Sequence, residues 1–172
     1  MNLFFLRHGK AEPRGPRWRP DGKRPLTREG EERMAEVARG IQALGVSFDL
    51  ILTSPYARAL RTAEILAKAY RSNKLFETGN LVSEAEPKNI VDEINGNFAS
   101  VEQIALVGHE PMLTSLISTL ICGPGAAATI DLKKSGVCKL TIQKLAFAKC
   151  ACMNWLLTPR QLARLGQRAG GH

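Results

Sequence analysis

The chain has 172 residues, and its 24 lysines and arginines exceed its 16 aspartates and glutamates, which gives a formal net charge of +8. A chain of this length can form one domain that buries a core without disulfide bonds or structural metals. Its longest apolar run, near Leu113, is interrupted by Thr and Ser and is too short to span a membrane. The N-terminus lacks the features of a secretory signal. We therefore expect a cytoplasmic protein with a single domain over residues 1–172, of which about 166–172 form a frayed tail.

The positive charge indicates an anionic ligand, and nucleic acid is the first candidate. The basic residues are scattered, however, and they lack the interleaved aromatic residues on which single-strand binders stack bases. Phosphorylated small molecules or phosphoproteins explain the charge equally well. Nucleic-acid binding is therefore the weaker hypothesis.

The cysteines, Cys122, Cys138, Cys150 and Cys152, are expected to be free thiols, because a chain of this type rarely depends on a disulfide framework. Cys150 and Cys152 would lie on the same side of a strand. No second pair at metal-binding spacing accompanies them, so we expect no metal site there.

The first strand is predicted at residues 2–6, where a short apolar run opens the chain and leads into Arg7-His8-Gly9. Residues 11–25, rich in proline and arginine, are predicted to form a mobile basic loop. An amphipathic helix is then expected between Thr27, a suitable N-cap, and Gly45, a suitable stop.

A second apolar run at residues 49–53 predicts another strand, which ends at Ser54-Pro55 and is followed by a helix. Arg58 and Arg61 lie in the first turns of that helix. Cations are disfavoured at a helix N-terminus, whose backbone amides attract anions, so an arginine there indicates that an anion binds nearby. A solvent-exposed charge is the alternative interpretation.

The third clear strand, residues 103–107, runs directly into Gly108-His109-Glu110-Pro111 and repeats the pattern of the opening strand. A largely apolar helix is predicted to follow from Met112 to Cys122. The other predicted elements are a short strand near Leu75, a helix from Pro87 to about Asn95, β-rich segments at 129–132, 137–142 and 152–157, and a basic amphipathic helix after Thr158-Pro159.

Three predicted strand ends carry Arg7 with His8, Arg58, and His109. The carboxyl ends of parallel strands lie along one edge of a sheet, so these side chains can converge although they are distant in sequence. Arginine forks pair with phosphate oxygens, and a neutral imidazole can act as a nucleophile towards phosphorus. A metal site is the competing use of the histidines, but adjacent arginines would repel a cation and no carboxylate-rich ligand set accompanies them. We therefore favour phosphoryl chemistry without a metal or cofactor.

Arg7-His8-Gly9 after an N-terminal strand resembles the signature of the histidine phosphatase superfamily, also called the phosphoglycerate mutase-like family. Residues 54–63 are similar to the second motif of that family, and residues 107–111 to its third. Three motifs in the right order and spacing are a specific signal. The resemblance implies an α/β fold, a three-layer α/β/α sandwich with a mostly parallel central sheet.

Within the family, the chain most resembles the SixA-type phosphohistidine phosphatases. The small size, the segment at residues 25–30 and Asn154-Trp155 followed by Thr158-Pro159 carry this resemblance, which extends from residue 2 to about residue 165. The chain has no room for the insertions typical of the cofactor-dependent mutases, so mutase activity is not expected.

The resemblance implies that His8 is the nucleophile and carries the phosphoryl group as a covalent intermediate, which water then hydrolyses. It also implies that Arg7 and Arg58 bind the non-bridging oxygens, while His109 completes the phosphate pocket and stabilises the transition state. Many relatives have a glutamate in the middle segment that protonates the leaving oxygen. Glu84 is the nearest candidate for such a proton donor here.

Two departures from the family pattern bear on the substrate. The residues around Glu84 do not reproduce the proton-donor motif, which suits phosphohistidine because it needs less assistance in leaving than an alkoxide. Lys10 follows the first motif where some relatives have a small hydroxyl residue. A phosphate contact from that position is therefore not carried over.

The expected function is a metal-independent phosphohistidine phosphatase that acts on a phosphorylated protein in cytoplasmic signal transduction. A phosphatase of a small phosphoester, such as a sugar or nucleotide phosphate, is the alternative enzyme. A phosphate-binding protein of the same fold that does no chemistry is the alternative outside enzymes. No metal, cofactor or membrane is expected to take part.

Overall fold

The computed structural model describes residues 1–72 and 74–169. The strands are β1 Asn2–Arg7, β2 Leu50–Thr53, β3 Leu75–Glu77, β4 Gln103–Gly108, β5 Val137–Ile142 and β6 Ala151–Leu157. The α-helices are α1 Arg28–Ala43, α2 Ala57–Tyr70, α3 Pro87–Asn97, α4 Met112–Cys122 and α5 Pro159–Ala169. Helix α5 thus includes residues 166–169 of the predicted frayed tail, and residues 170–172 lie outside the described residues.

The strands form one six-stranded sheet in the order β3-β2-β4-β1-β5-β6. The neighbours from β3 to β1 are parallel, whereas β5 pairs antiparallel with both β1 and β6. The predicted mostly parallel sheet is therefore confirmed. Because β1, β2 and β4 run in the same direction, their carboxyl ends meet at one edge of the sheet.

Helices cover both faces of this sheet and complete a three-layer α/β/α sandwich, as predicted. On one face, α3 and α4 bury an apolar cluster that includes Ile94 and Leu116. On the other face, α1, α2 and α5 bury a second cluster that includes Met34, Leu66 and Leu162. The sheet is therefore enclosed between two apolar layers.

Strand β1 is buried on both faces, as is usual for a strand inside a parallel sheet. Leu3 and Phe5 join the cluster under α3 and α4, while Phe4 and Leu6 join the cluster on the opposite face. These side chains are at most 2% exposed, and burying each contributes roughly 1.5–3 kcal/mol to stability. The strand that leads to His8 is therefore held firmly on both sides.

The segment at residues 129–132, predicted to be β-rich, is not a strand. Strand β5, which follows it, already has β1 on one side and β6 on the other, so neither edge of β5 can accept a further strand. Leu132 instead buries its side chain, and its carbonyl oxygen accepts a hydrogen bond from Arg7.

The connection between β1 and α1 is irregular, as predicted, and we call residues 12–25 the entry loop. Ala11 and Leu26 form an antiparallel bridge at its base. Two short 3₁₀ turns, Pro16–Trp18 and Asp21–Lys23, shape the rest. The bridge brings the two ends of the loop together.

Arg24 anchors the entry loop from within. Its side chain is almost fully buried; it donates to Asp21 Oδ1 at 2.9 Å and to the carbonyl oxygen of Glu12 at 2.8 Å. The buried side chain of Arg24 therefore holds together a loop that was predicted to be mobile.

None of the helices in the described part of the chain is both long and apolar enough to cross a membrane. Cys122, Cys138, Cys150 and Cys152 are free thiols, as predicted. Cys150 precedes β6 rather than lying on it, so it does not share a strand face with Cys152.

Candidate active site

The ends of β1 and β4 place two histidines side by side. The strands are parallel neighbours with Arg7 opposite Gly108, so His8 and His109 follow at the same level of the sheet. Their ring centroids are 4.9 Å apart, and the residues are only 6% and 1% exposed. The structure therefore brings together the two histidines that the sequence placed at one sheet edge.

The backbone holds His8 in one tautomer. Its Nδ1 lies 2.7 Å from the carbonyl oxygen of Gly9, and because a carbonyl only accepts, Nδ1 carries the proton. Nε2 keeps its lone pair, which accepts a hydrogen bond from Arg58 Nε at 3.3 Å. Burial lowers the pKa of His8 to about 3; the hydrogen bond to Gly9 acts in the opposite direction, but the charges of Arg58 and Arg7 add to the lowering. The imidazole is therefore neutral near pH 7 and nucleophilic at Nε2.

Arg58 reaches the site from the first turn of α2 and is 3% exposed. Besides its contact with His8, its guanidinium donates to the carbonyl oxygen of Asp21 at 3.0 Å and lies 3.1 Å from Asp21 Oδ2. Its central carbon lies 5.1 Å from the ring centroid of Tyr56. The entry loop and α2 thus fix Arg58 from opposite sides.

Asp21 is the carboxylate that links the entry loop to this arginine. Partial burial acts to raise its pKa, but the hydrogen bond from Arg24 and the charge of Arg58 outweigh this and lower it. Asp21 is therefore ionised near pH 7 and offsets part of the charge of Arg58.

A serine side chain, rather than a backbone carbonyl, contacts the ring of His109. Its Nε2 lies 2.9 Å from Oγ of Ser54, the residue that directly follows β2. Its Nδ1 is buried without a hydrogen-bond partner among the described residues. Burial, followed by the charge of Arg58, lowers the pKa of His109 to about 3. A neutral imidazole with one unpaired nitrogen therefore stands beside His8.

Arg7 supplies a second guanidinium. It donates to the carbonyl oxygen of Leu132 at 2.9 Å, and its Nε is buried without a partner among the described residues. Arg7 thus lines the cavity with one N–H that has no partner among the described residues.

A threonine joins the loop after β1 to helix α2. The backbone N–H of Gly9 donates to Thr62 Oγ1 at 3.0 Å, and this hydroxyl donates to the carbonyl oxygen of Arg58 at 2.7 Å. A single buried side chain therefore links the His8 turn to the Arg58 turn.

These side chains line a cavity of about 570 Å³ at the carboxyl edge of the sheet. The entry loop forms part of its wall through Glu12, Pro13, Arg14 and Arg24. Its basic lining residues are Arg7, Lys10, Arg14, Arg24, Arg58 and Lys134. Burial lowers the pKa of Lys134, and the nearby cations lower it further. The cavity therefore has an excess of positive charge that suits an anion.

Two other residues that the sequence analysis singled out, Glu84 and Lys10, pair with other side chains. Glu84 does not line the cavity; on the surface it accepts hydrogen bonds from Ser83 and Tyr56, which lower its pKa. Lys10 lines the cavity but forms an ion pair with Glu29. Glu84 as proton donor stays a prediction that its position does not favour.

Sequence reasoning missed several residues that shape this site. Ser54 lies at a strand end, and Thr62 lies one helical turn after Arg58. Both are small hydroxyl residues, and only these positions could have indicated a role in the site. Asp21 was overlooked because it lies in a segment rich in arginine. Glu110, which lines the cavity, was noted only as a neighbour of His109. Within residues 1–72 and 74–169, no group of three or more His, Cys, Asp or Glu side chains is arranged to hold a metal ion.

Comparison of the sequence with known proteins identifies the family. Residues 3–80 match the model of the histidine phosphatase superfamily (branch 1). An uncharacterized protein from Picosynechococcus sp. is 36% identical over 142 residues, which cover 80% of this chain and 82% of the relative. The chain belongs to the histidine phosphatase superfamily, and this membership supports a phosphatase.

Solved structures show the same fold. The protein histidine phosphatase SixA, complexed with tungstate, superposes with a TM-score of 0.80 at 21% identity, covering 94% of this chain and 99% of SixA. A mycobacterial glucosyl-3-phosphoglycerate phosphatase with inorganic phosphate gives a TM-score of 0.70 at 15% identity, covering 92% and 98%. The two proteins are named for different substrates, so the shared fold leaves the substrate open.

Proposed function

We propose that this protein is a metal-independent phosphatase that removes the phosphoryl group from phosphohistidine in a protein partner. The observation that carries the proposal is the Nε2 atom of His8. It is unprotonated because Gly9 holds the proton on Nδ1, and it lies in a cavity lined by cations. A neutral imidazole in this setting is a competent nucleophile once the phosphate charge is neutralised.

In the proposed reaction, Nε2 of His8 attacks phosphorus and the bond to the leaving atom breaks. The free N–H of Arg7 and the guanidinium of Arg58 bind non-bridging oxygens, on which negative charge is concentrated. In this reaction Ser54 donates its proton to Nε2 of His109, which leaves Nδ1–H of His109 as the donor for a third oxygen. Donors aligned in this way contribute roughly 10²–10³-fold each.

Water then attacks the phosphohistidine enzyme, the P–N bond breaks, and its electron pair returns to Nε2. The basic residues that line the cavity supply the positive charge that a metal ion provides in other phosphatases, and they would repel a cation. This arrangement supports a reaction without a metal.

The likeness in fold to SixA supports a phosphohistidine substrate. A small phosphoester is the second candidate, because the entry loop walls a cavity large enough to hold a small molecule. The mycobacterial neighbour of the same fold is named for such a substrate.

The test is release of inorganic phosphate from a phosphohistidine protein and from a panel of sugar and nucleotide phosphates, in excess chelator, with wild type and His8→Ala. We expect turnover of phosphohistidine that His8→Ala reduces by at least about 10³-fold, because the nucleophile is lost. Circular dichroism and thermal unfolding check that the variant is folded. His8 is uncharged, and Arg58, which loses its contact with Nε2 in the variant, keeps its ion pair with Asp21.

Turnover of a small phosphoester alone would assign the alternative substrate. Retained turnover in folded His8→Ala would contradict the proposed nucleophile. Phosphate binding without turnover on any substrate would indicate a binding protein of the same fold.

A further inference from the structure

Glu110 is a carboxyl group in the cavity that the proposed chemistry has not yet used. It follows His109 directly and lines the same cavity as His8. Its Oε2 accepts a hydrogen bond from Thr114 in the first turn of α4. Its Oε1 is buried and has no hydrogen-bond partner among the described residues. An ionised oxygen left buried and unpaired is costly, whereas a protonated one would be a donor for a bound ligand.

The surroundings of Glu110 raise its pKa above that of an ordinary glutamate. Burial raises its pKa, and Asp131 acts in the same direction. The hydrogen bond from Thr114 and the charge of Arg7 act in the opposite direction, as does the N-terminus of α4. A phosphoryl dianion in the cavity adds a further like charge, which disfavours the carboxylate.

We propose that Glu110 is the proton donor to the leaving atom of the substrate, an inference that rests on the proposed function. The geometry behind it is a carboxyl group that lines the cavity of the nucleophile and has one buried oxygen without a partner among the described residues. Glu84, by contrast, is on the surface, and both of its oxygens already accept hydrogen bonds.

The proton balance of the reaction closes with this assignment. When His8 Nε2 attacks phosphorus, the leaving oxygen or nitrogen keeps the electrons of the broken bond and takes the proton of Glu110. The resulting carboxylate then accepts a proton from the water that attacks the phosphohistidine enzyme. Phosphate leaves, and Glu110 is protonated again for the next cycle.

The experiment compares p-nitrophenyl phosphate, whose leaving group needs no proton, with phenyl phosphate, whose leaving group does. We expect Glu110→Gln to lose roughly 10²-fold or more in kcat on phenyl phosphate and only a few-fold on p-nitrophenyl phosphate. Glu12→Gln removes a carboxylate from the rim of the same cavity and is expected to affect both substrates alike. Glu84→Gln tests the competing proton donor.

A second measurement needs no turnover. The carboxyl carbon resonance of Glu110 in wild type, assigned by its loss in Glu110→Gln, is followed with pH in ¹³C-glutamate-labelled protein. We expect its midpoint to lie above 4.5, the ordinary value, and to rise by roughly one unit when inorganic phosphate is added.

The outcomes separate this inference from the proposed function. If wild type hydrolyses no phosphate compound, the proposed function fails, and the resonance still decides whether Glu110 is a protonated group facing the anion. Equal losses on both aryl phosphates in Glu110→Gln would overturn the assignment, as would a loss in Glu84→Gln that is confined to phenyl phosphate. A Glu110 midpoint that lies at the ordinary value and does not change when phosphate is added would overturn it as well.

Discussion

The floor of the cavity and the entry loop are built by different forces. The floor, formed by Arg7, His8, Arg58 and His109, lies at two strand ends and a helix start, and all of these residues except Arg7 are buried. The entry loop, residues 12–25, is held by the buried Arg24 and by ion pairs of Asp21, whose side chain is 42% exposed. The floor is therefore fixed by the core, whereas the loop depends on charges that solvent reaches.

The floor holds the residues that the proposed reaction uses, whereas the entry loop forms part of the cavity wall. In the proposed reaction, the groups that contact phosphorus need accurate placement, and they lie on elements that pack into the core. In the proposed function, the entry loop contacts the rest of the substrate. Salt weakens its exposed ion pairs, and a surface loop tolerates changes of sequence. Changes to the floor should therefore affect turnover strongly, and changes to the loop should affect it mildly.

After loss of the nucleophile itself, the largest expected effect is that of Arg58→Lys. Lysine keeps the charge but has no planar fork, so it cannot contact His8 Nε2 and Asp21 together as Arg58 does. We expect kcat/KM to fall by about 10²–10³-fold, measured by phosphate release.

Arg61→Lys is the matched control for that change. Arg61 lies less than one turn further along α2 but points to Glu31 and Glu64 on the surface. We expect its turnover to match wild type. Similar losses in both variants would mean that the helix as a whole, rather than the floor, determines activity.

The next effect concerns stability and pH. His8 and His109 have pKa values of about 3 in the fold against 6.5 for an ordinary histidine. The unfolded chain therefore binds more protons below about pH 6.5, and the free energy of unfolding falls as pH decreases from there towards 3. The loss is roughly 1.4 kcal/mol per pH unit for each histidine, while neither contributes above that window.

Urea unfolding between pH 7 and pH 5 measures this slope above the range where most carboxylates titrate. His109→Asn should flatten it, because one buried neutral group is removed. An equal slope in both proteins would show that the floor histidines are less buried than the structure indicates.

The smallest effect is expected in the entry loop. Asp21→Asn removes a negative charge beside Arg58, so inorganic phosphate should inhibit up to about five-fold more strongly, in line with 0.2–1 kcal/mol for an exposed ion pair. At the same time kcat should fall a few-fold, because Arg58 loses a positioning contact. Steady-state kinetics with phosphate as inhibitor, at low and high salt, measure both changes.

Asp92→Asn, which removes an equal charge from an ion pair on the outer face of α3, should change neither value. Weaker phosphate inhibition in Asp21→Asn would show that Asp21 organises the anion site rather than competing with the anion.

The elements of the floor could be predicted from the sequence because their signals are local. Apolar runs that stop at Arg7-His8-Gly9 and before His109 mark buried strands, and the parallel order of the sheet then brings their ends together. Arg58 could be placed by its position at a helix start. The fold and the convergence of these residues follow from such patterns.

The remaining features depend on contacts that no local pattern encodes. Asp21 pairs with Arg58, which is far away in sequence. Arg24 is buried although Lys23 beside it is exposed. Whether residues 129–132 form a strand depends on which edges of β5 are already occupied. The unpaired oxygen of Glu110 becomes visible only when every neighbour is in place.

The carbonyl oxygen of Gly9 has a chemical consequence for any phosphoryl group that His8 takes up. Because this oxygen holds the proton on Nδ1, only Nε2 can form the bond to phosphorus, and the product is the tele isomer of phosphohistidine. A backbone carbonyl remains whichever side chain is substituted around it. The isomer is therefore fixed by the path of the main chain, and the regiochemistry of the modification is inherited with the fold.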